Sequence, residues 1–262
     1  VADLVWQLAG QGTLKLDIGK DLFASDAGFR DALLDCRDVV QGILSINIVD
    51  VLYPDASEGR ISRDDALAIL KQTAYGQPIL VSIEYSLGCS ALSRGVSPGM
   101  MLGHSLGEYV VAMLGGIFSV FDGLTLVCAR GRLMEGCEQC VGSMVAVRGR
   151  APDLVSAIEE AGVSDKVSLG AINGENSVVL SGDTASVYQV LGLRPAVSYK
   201  ALPVTRAFHS PLMQHIIAEY SEYLERVVFA EHVLDSRMVS TVYGRAVTWS
   251  EVMNVEYWIA HI

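Results

Sequence analysis

Apolar positions along the 262-residue chain follow two rhythms, and their alternation predicts the fold. Asp3 to Ala9 reads as a buried strand that ends in the loop Gly10-Gln11-Gly12. Phe29 to Val40 and Ser62 to Gln72 repeat at helical spacing, the second opening on Ser62 with Asp64 and Asp65 behind it as start signals. Gln77 to Ser93 is a longer apolar helix, after which Pro98 turns the chain into a short strand, Met100-Met101-Leu102. A helix from Leu106 to Gly116 follows, and Ser119 with Asp122 caps another that runs to Glu135. Strands alternating with helices in this way predict a parallel sheet covered by helices.

After Gly142 the rhythm changes. Strands are expected at Ser143 to Val147, Val167 to Ala171, Ser177 to Ser181 and Val197 to Val204, with helices at Pro152 to Ala161 and Thr184 to Leu191. That β-α-β-β-α-β order is the split βαβ, or ferredoxin-like, unit. A long helix from Pro211 to Val228, a strand at Met238 to Val242 and a helix at Glu251 to Ile259 then resume the first pattern. The expected fold class is α/β: a hydrolase-like parallel-sheet core formed by residues 1–141 and 205–262, with a small ferredoxin-like α+β subdomain, residues 142–204, inserted into it. Both ends read as cuts from a longer polypeptide.

Composition narrows the function. A chain with 51% hydrophobic residues is apolar enough to bury a large core. A formal net charge of −11, without a dense Lys/Arg run, argues against nucleic acid and against an anionic membrane surface. No apolar run reaches the length of a membrane span; Tyr109 to Val120 is short and interrupted by Gly115 and Gly116. The N-terminus lacks the basic region of a signal peptide. Five cysteines, an odd number, favour a reducing compartment, the cytoplasm. Cys137-Glu138-Gln139-Cys140 has CxxC spacing without a second Cys or His pair nearby, and reads as two thiols in a helix-terminal loop. No metal is expected.

Candidate chemistry centres on Gly103-His104-Ser105-Leu106-Gly107. A Ser at the middle of GxSxG, after a strand and opening a helix, is forced into a sharp turn that exposes its hydroxyl. Backbone N–H groups at the helix start then face any oxyanion forming beside it. The hydroxyl needs a base. His104 is adjacent to Ser105, so its ring points elsewhere and packs beside the elbow or lines the cleft. His209 lies in the loop Ala207-Phe208-His209-Ser210-Pro211, where a side chain can face a cleft, whereas His215 and His232 fall in or near helices. Position alone leaves the base open between His209 and the others.

Five motifs occur in order: Gly10-Gln11-Gly12; Gly103-His104-Ser105-Leu106-Gly107-Glu108; Ala129-Arg130-Gly131-Arg132-Leu133-Met134; Asn173-Gly174 with Val179-Leu180-Ser181-Gly182; and Ala207-Phe208-His209-Ser210-Pro211-Leu212-Met213. Together they resemble the acyltransferase domain of modular type I polyketide synthases, related to malonyl-CoA:acyl-carrier-protein transacylase, over essentially the whole chain. The resemblance implies Ser105 as nucleophile and His209 as general base. It implies Gln11 and Leu106 as oxyanion-hole donors, Arg130 as the clamp on a malonyl carboxylate, and Phe208, His104 and Met134 as substrate-binding residues. It implies no bound cofactor, with malonyl-CoA and a phosphopantetheine-bearing acyl carrier protein as substrates. Neighbouring ketosynthase and linker domains are the implied partners in a megasynthase. The family often orients its His through a late main-chain carbonyl, and His261 falls near that position.

Leu106 and Ala207-Phe208-His209-Ser210 resemble the malonyl-selecting pattern rather than the methylmalonyl one, which has Gln in place of Leu106. Arg206 departs from it, standing where malonyl-type members commonly carry His. Other acyl-CoA selectivity, an acyl-carrier-protein hydrolase and a catalytically silent docking module are the alternative readings.

Overall fold

The computed structural model describes residues 4–230, 234 and 236–262, and His232 lies outside the described residues. The chain opens with β1 (Val5–Leu8), then α1 (Lys20–Ser25), α2 (Ala27–Leu44), α3 (Ile48–Leu52), α4 (Arg63–Lys71) and α5 (Thr73–Ser93). Next come β2 (Met100–Gly103), α6 (Gly107–Leu114) and α7 (Val120–Gly136). β3 (Ser143–Arg148), α8 (Ala151–Ala161), β4 (Val167–Gly174), β5 (Ser177–Gly182), α9 (Thr184–Gly192) and β6 (Ser198–Ala201) follow. The chain continues with α10 (Gln214–Leu224), β7 (Arg237–Ser240), β8 (Arg245–Val247), α11 (Trp249–Val252) and α12 (Val255–Ala260).

Contacts divide it into two bodies. The first holds the described residues up to Leu133 and from Tyr220 to His261, the second Met134–Glu219 with Ile262. The divisions fall inside α7 and α10, outside the 142 and 204 boundaries expected from the pattern.

In the first body the sheet order is β1-β2-β7-β8, with β1, β2 and β7 parallel and β8 antiparallel to β7. β1 pairs with β2 alone, so its residues are exposed or half-buried, Val5 at 47%. This corrects the buried strand expected from its apolar run, which an edge position does not require. α2 is started by Asp26, whose carboxylate accepts from the Phe29 N–H at 2.7 Å. Its buried side chains Phe29, Leu33, Cys36 and Val40 recur at helical spacing and pack the helix against α5. α5 is buried along most of its length, and two of its buried hydroxyls are satisfied within the helix. Ser82 Oγ donates to the Pro78 carbonyl and Ser86 Oγ to that of Ser82, both at 2.7 Å.

The second body carries the antiparallel sheet β4-β5-β3-β6, its elements following one another as β-α-β-β-α-β. Val145, Val147, Leu154, Ile158, Val178, Leu180 and Val190 form its core. β6 is shorter than the expected Val197 to Val204 and fully exposed, as an edge strand is.

Two expected helices are divided. Pro211–Met213 is a 3-10 turn before α10, and α10 ends at Leu224, short of Val228. The final helix breaks at Met253-Asn254, because the Asn254 side chain accepts from the Tyr257 N–H at 2.8 Å and starts a new one. α1, α3 and β8 are too short to show a period and were not anticipated.

Candidate active site

β2 delivers Gly103 opposite Leu8 of β1, and the chain then turns sharply into α6. Ser105 sits at the turn with φ 51°, the left-handed region that a side chain disfavours by about 1–2 kcal/mol. Two glycines make the turn possible. A Cβ on Gly103 would stand 2.2 Å from the Glu108 nitrogen, and one on Gly107 would stand 2.5 Å from the Leu8 carbonyl oxygen. The Ser105 carbonyl accepts from the Glu108 N–H at 2.9 Å, closing the first turn.

The loop after β1 lies against this elbow. A Cβ on Gly10 would come within 2.8 Å of both the His104 Nδ1 and its carbonyl oxygen, so only glycine lets loop and elbow approach. His104 itself is exposed, its ring over Gly10. α5 secures the loop at two points: Glu84 Oε1 accepts from the Ala9 N–H at 2.7 Å, and Gln77 Nε2 donates to Gln11 Oε1 at 3.4 Å. Burial pushes the Glu84 carboxyl up to about 7, against the Ala9 hydrogen bond, which pulls it down. Among the described residues, neither the Gln11 nor the Leu106 N–H is bonded to another backbone group.

Arg130 lies on α7 in the same body, only 2% exposed. Its guanidinium carbon is 6.0 Å from the centre of the Tyr109 ring. Among the described residues it has no ion-pair partner, and its buried Nε has no hydrogen-bond partner. Burial lowers its pKa, while the Tyr109 and Tyr220 hydroxyls, 2.6 Å apart, act in the opposite sense. A guanidinium keeps its proton even so. A fully buried charge without a partner is costly, so the position is suited to an incoming anion.

His209, Phe208 and Met134 belong to the second body. His209 is held at φ 56°, half-buried, and Phe208 and Met134 are buried. Arg206, the departure from the family pattern, has a task of its own. Its Nε donates to the Met134 carbonyl at 2.8 Å and its Nη2 to the Glu135 carbonyl at 2.5 Å, so it caps the C-terminal end of α7. The two thiols expected at residues 137 and 140 are corrected: Cys137 and Cys140 form a disulfide. The 3-10 turn Glu138–Cys140 brings their Cα atoms to 5.2 Å, within bridging range, a turn the spacing alone did not reveal.

Comparison with known proteins decides the family. A family profile described as "Acyl transferase domain" matches residues 5–262. The chain belongs to the acyl transferase domain family. This acyltransferase domain is 32% identical over 254 residues to the PKS-NRPS hybrid synthetase ATPKS of Aspergillus niger (strain ATCC 1015), covering 96% of this chain and 13% of that protein. It is 33% identical over 261 residues to polyketide synthase GfsA of Streptomyces halstedii, covering 97% of this chain and 3% of that one. The domain therefore spans a small part of these relatives. Among solved structures it is similar to the acyl transferase domain of ZmaA, with TM-score 0.88 at 26% identity, covering 99% of this chain and 58% of that one. It is also similar to FabD from Acinetobacter baumannii, with TM-score 0.84 at 25% identity, covering 99% and 79%.

One group of residues beside Ser105 is joined by contacts that local spacing does not reveal. Glu108, fully buried, accepts from the Thr241 N–H and hydroxyl, both at 2.6 Å, and from the Tyr257 hydroxyl. Burial raises its pKa against these donors. His261 Nε2 lies 3.0 Å from the Ser105 carbonyl oxygen and 3.8 Å from Glu108 Oε2. These partners come from the last quarter of the chain, too distant in sequence for local spacing to connect them. Among the described residues no group of three or more His, Cys, Asp or Glu could hold a metal. No described helix is long and apolar enough to cross a membrane.

Proposed function

We propose that this acyltransferase domain moves a malonyl group from malonyl-CoA to the phosphopantetheine thiol of an acyl carrier protein through an ester on Ser105. Arg130 is the observation that carries the reading: a buried, unpaired guanidinium in the same body as the elbow is suited to a substrate that brings its own carboxylate. A hydrolase of simple acyl groups has no use for such a cation, and a silent docking module has none for a strained serine.

In the first half-reaction Ser105 Oγ attacks the thioester carbonyl and passes its proton to His209. The Gln11 and Leu106 N–H groups stabilise the tetrahedral oxyanion. Collapse breaks the C–S bond, and the CoA sulfur leaves with the proton from His209. In the second half the carrier thiol gives its proton to His209, attacks the malonyl ester and releases Ser105 Oγ, which recovers the proton. Arg130 pairs with the free carboxylate throughout and fixes the acyl orientation. The role of His209 rests on the family resemblance, supported by its strained loop position.

Leu106 and Phe208 support malonyl over methylmalonyl selection. A bulky Phe beside the base crowds an α-methyl group, a discrimination of about 1–3 kcal/mol. No bound cofactor enters this chemistry. The CoA substrate supports a cytoplasmic location, and the cysteines divide, with Cys137 and Cys140 bridged and Cys36, Cys89 and Cys128 not. Ketosynthase and linker domains are the natural neighbours in a longer synthase.

Incubation with malonyl-CoA tests the reading by intact-protein and peptide mass spectrometry. The expected result is a malonyl adduct on Ser105, lost in Ser105→Ala, with methylmalonyl-CoA competing poorly. An unlabelled Ser105 in folded protein overturns it.

A further inference from the structure

The backbone around His209 is held by a device the proposed reaction does not account for. Ser181 Oγ donates to the Phe208 carbonyl at 2.5 Å, and Ser168 Oγ donates to the His209 carbonyl at 2.7 Å. The two serines are direct partners across the antiparallel pair β4 and β5, so their side chains stand side by side on one face. One cross-strand pair thus presents two hydroxyls to two consecutive carbonyls. Ser181 is fully buried and Ser168 half-buried.

These two carbonyls belong to the peptide planes on either side of the His209 Cα. Fixing the plane before it restrains φ, and fixing the plane after it restrains ψ. His209 needs both restraints, because its φ of 56° lies in the region that a Cβ disfavours. Released from them, the residue would relax toward ordinary φ and its ring would swing away from its present direction. The surroundings are shaped to the same end. At Gly170, where the β4–β5 register shifts, a Cβ would stand 2.9 Å from the Ser181 Cβ and 3.4 Å from the Phe208 carbonyl oxygen. Ala207 is tied by its N–H to the Cys140 carbonyl at 3.0 Å, and Ser210 Oγ donates back to the Ala207 carbonyl at 2.7 Å.

We infer that Ser168 and Ser181 are positioning residues for His209, a cross-strand hydroxyl pair that locks both backbone torsions of the base. The inference rests on the proposed role of His209 in malonyl transfer.

The test is single-turnover malonylation of Ser105 in the full chain, with KM for malonyl-CoA and the pH profile followed alongside. Ser168→Ala is expected to slow loading about 10- to 100-fold with KM within about twofold of the parent. Ser168→Thr, which keeps the hydroxyl, is expected to recover most of the rate, and adding Ser181→Ala to Ser168→Ala should deepen the loss. Ser168 is half-buried and outside the apolar core, so its alanine variant leaves the fold measurable by melting temperature. Imidazole ¹⁵N spectra of His209 should shift in the alanine variants and not in Ser168→Thr. Parent-like loading and parent-like His209 spectra in a folded Ser168→Ala/Ser181→Ala protein overturn the inference, as does a loss in Ser168→Thr equal to that in Ser168→Ala. A parent protein that never labels Ser105 instead removes the underlying reaction, which keeps the two failures distinct.

Discussion

His261 Nε2 and the Ser105 carbonyl oxygen are 3.0 Å apart, and the same oxygen receives the Glu108 N–H at 2.9 Å. Both lone pairs of the strained residue's carbonyl are therefore engaged. A carbonyl can only accept, so the imidazole proton must be on Nε2. Burial, aided by the positive charge of Arg130, pushes the His261 pKa down to about 3, so the ring is neutral.

A pH-dependent stability follows from that depression. Between its ordinary value of 6.5 and about 3, the unfolded chain binds a proton at His261 that the folded chain refuses. The contribution is fully present above pH 6.5 and is lost as pH falls toward 3, by roughly 3–5 kcal/mol. His261→Asn keeps a donor for the Ser105 carbonyl and removes the titration. Urea midpoints should converge between variant and parent as the pH drops from 7 to 4.5; an unchanged difference contradicts the assignment.

Arg130 separates function from stability. Arg130→Ala should reduce malonyl loading roughly 10- to 100-fold, the worth of a charge-assisted hydrogen-bonded pair, while acetyl loading stays within about threefold. Equal losses on both substrates would remove the clamp role. Arg130→Met, which fills the space without the charge, should leave the protein as stable or about 1–4 kcal/mol more stable by denaturant titration.

Glu84 gives a trend of the opposite sign. Its folded pKa of about 7 stands above the ordinary 4.5, so its contribution is full below pH 4.5 and is lost as pH rises through 7. Glu84→Gln cannot ionise. It should match the parent near pH 4.5 and exceed it by about 2–3 kcal/mol at pH 8, measured by urea unfolding. Equal stabilities at both pH values would count against a buried carboxyl there.

Gly103→Ala tests the elbow directly. The added methyl would lie 2.2 Å from the Glu108 nitrogen and 2.3 Å from the Gly107 carbonyl carbon, both backbone atoms of the tight turn. The turn has to open, and a loss of about 3 kcal/mol or more is expected together with Ser105 loading. A variant with parent-like melting and labelling would mean that the elbow is looser than its geometry indicates.

The elbow and the main helices were readable from sequence because their causes are local. Gly103 and Gly107 flank Ser105 within five residues, and the N-cap of α4, Ser62, accepts from Asp65 three positions on at 3.1 Å. β1 was misread because an apolar run does not say whether a strand lies at an edge. The break at Asn254 was missed because a single capping side chain interrupts an otherwise continuous period. The supports of the site were hidden for a different reason. Ala9 meets Glu84, Glu108 meets Tyr257, and Phe208 meets Ser181, and each pairing joins residues far apart in sequence that meet only once their own body has folded.

The unpaired guanidinium of Arg130 also sets a direction for drift. With its site empty, this residue costs the fold more than an apolar replacement would, so random substitution has a downhill path that erases it. On the proposed reading, handling of a carboxylate-bearing acyl group opposes that path. On that reading, a chain that had abandoned such substrates would be expected to shed the arginine before it lost the serine elbow.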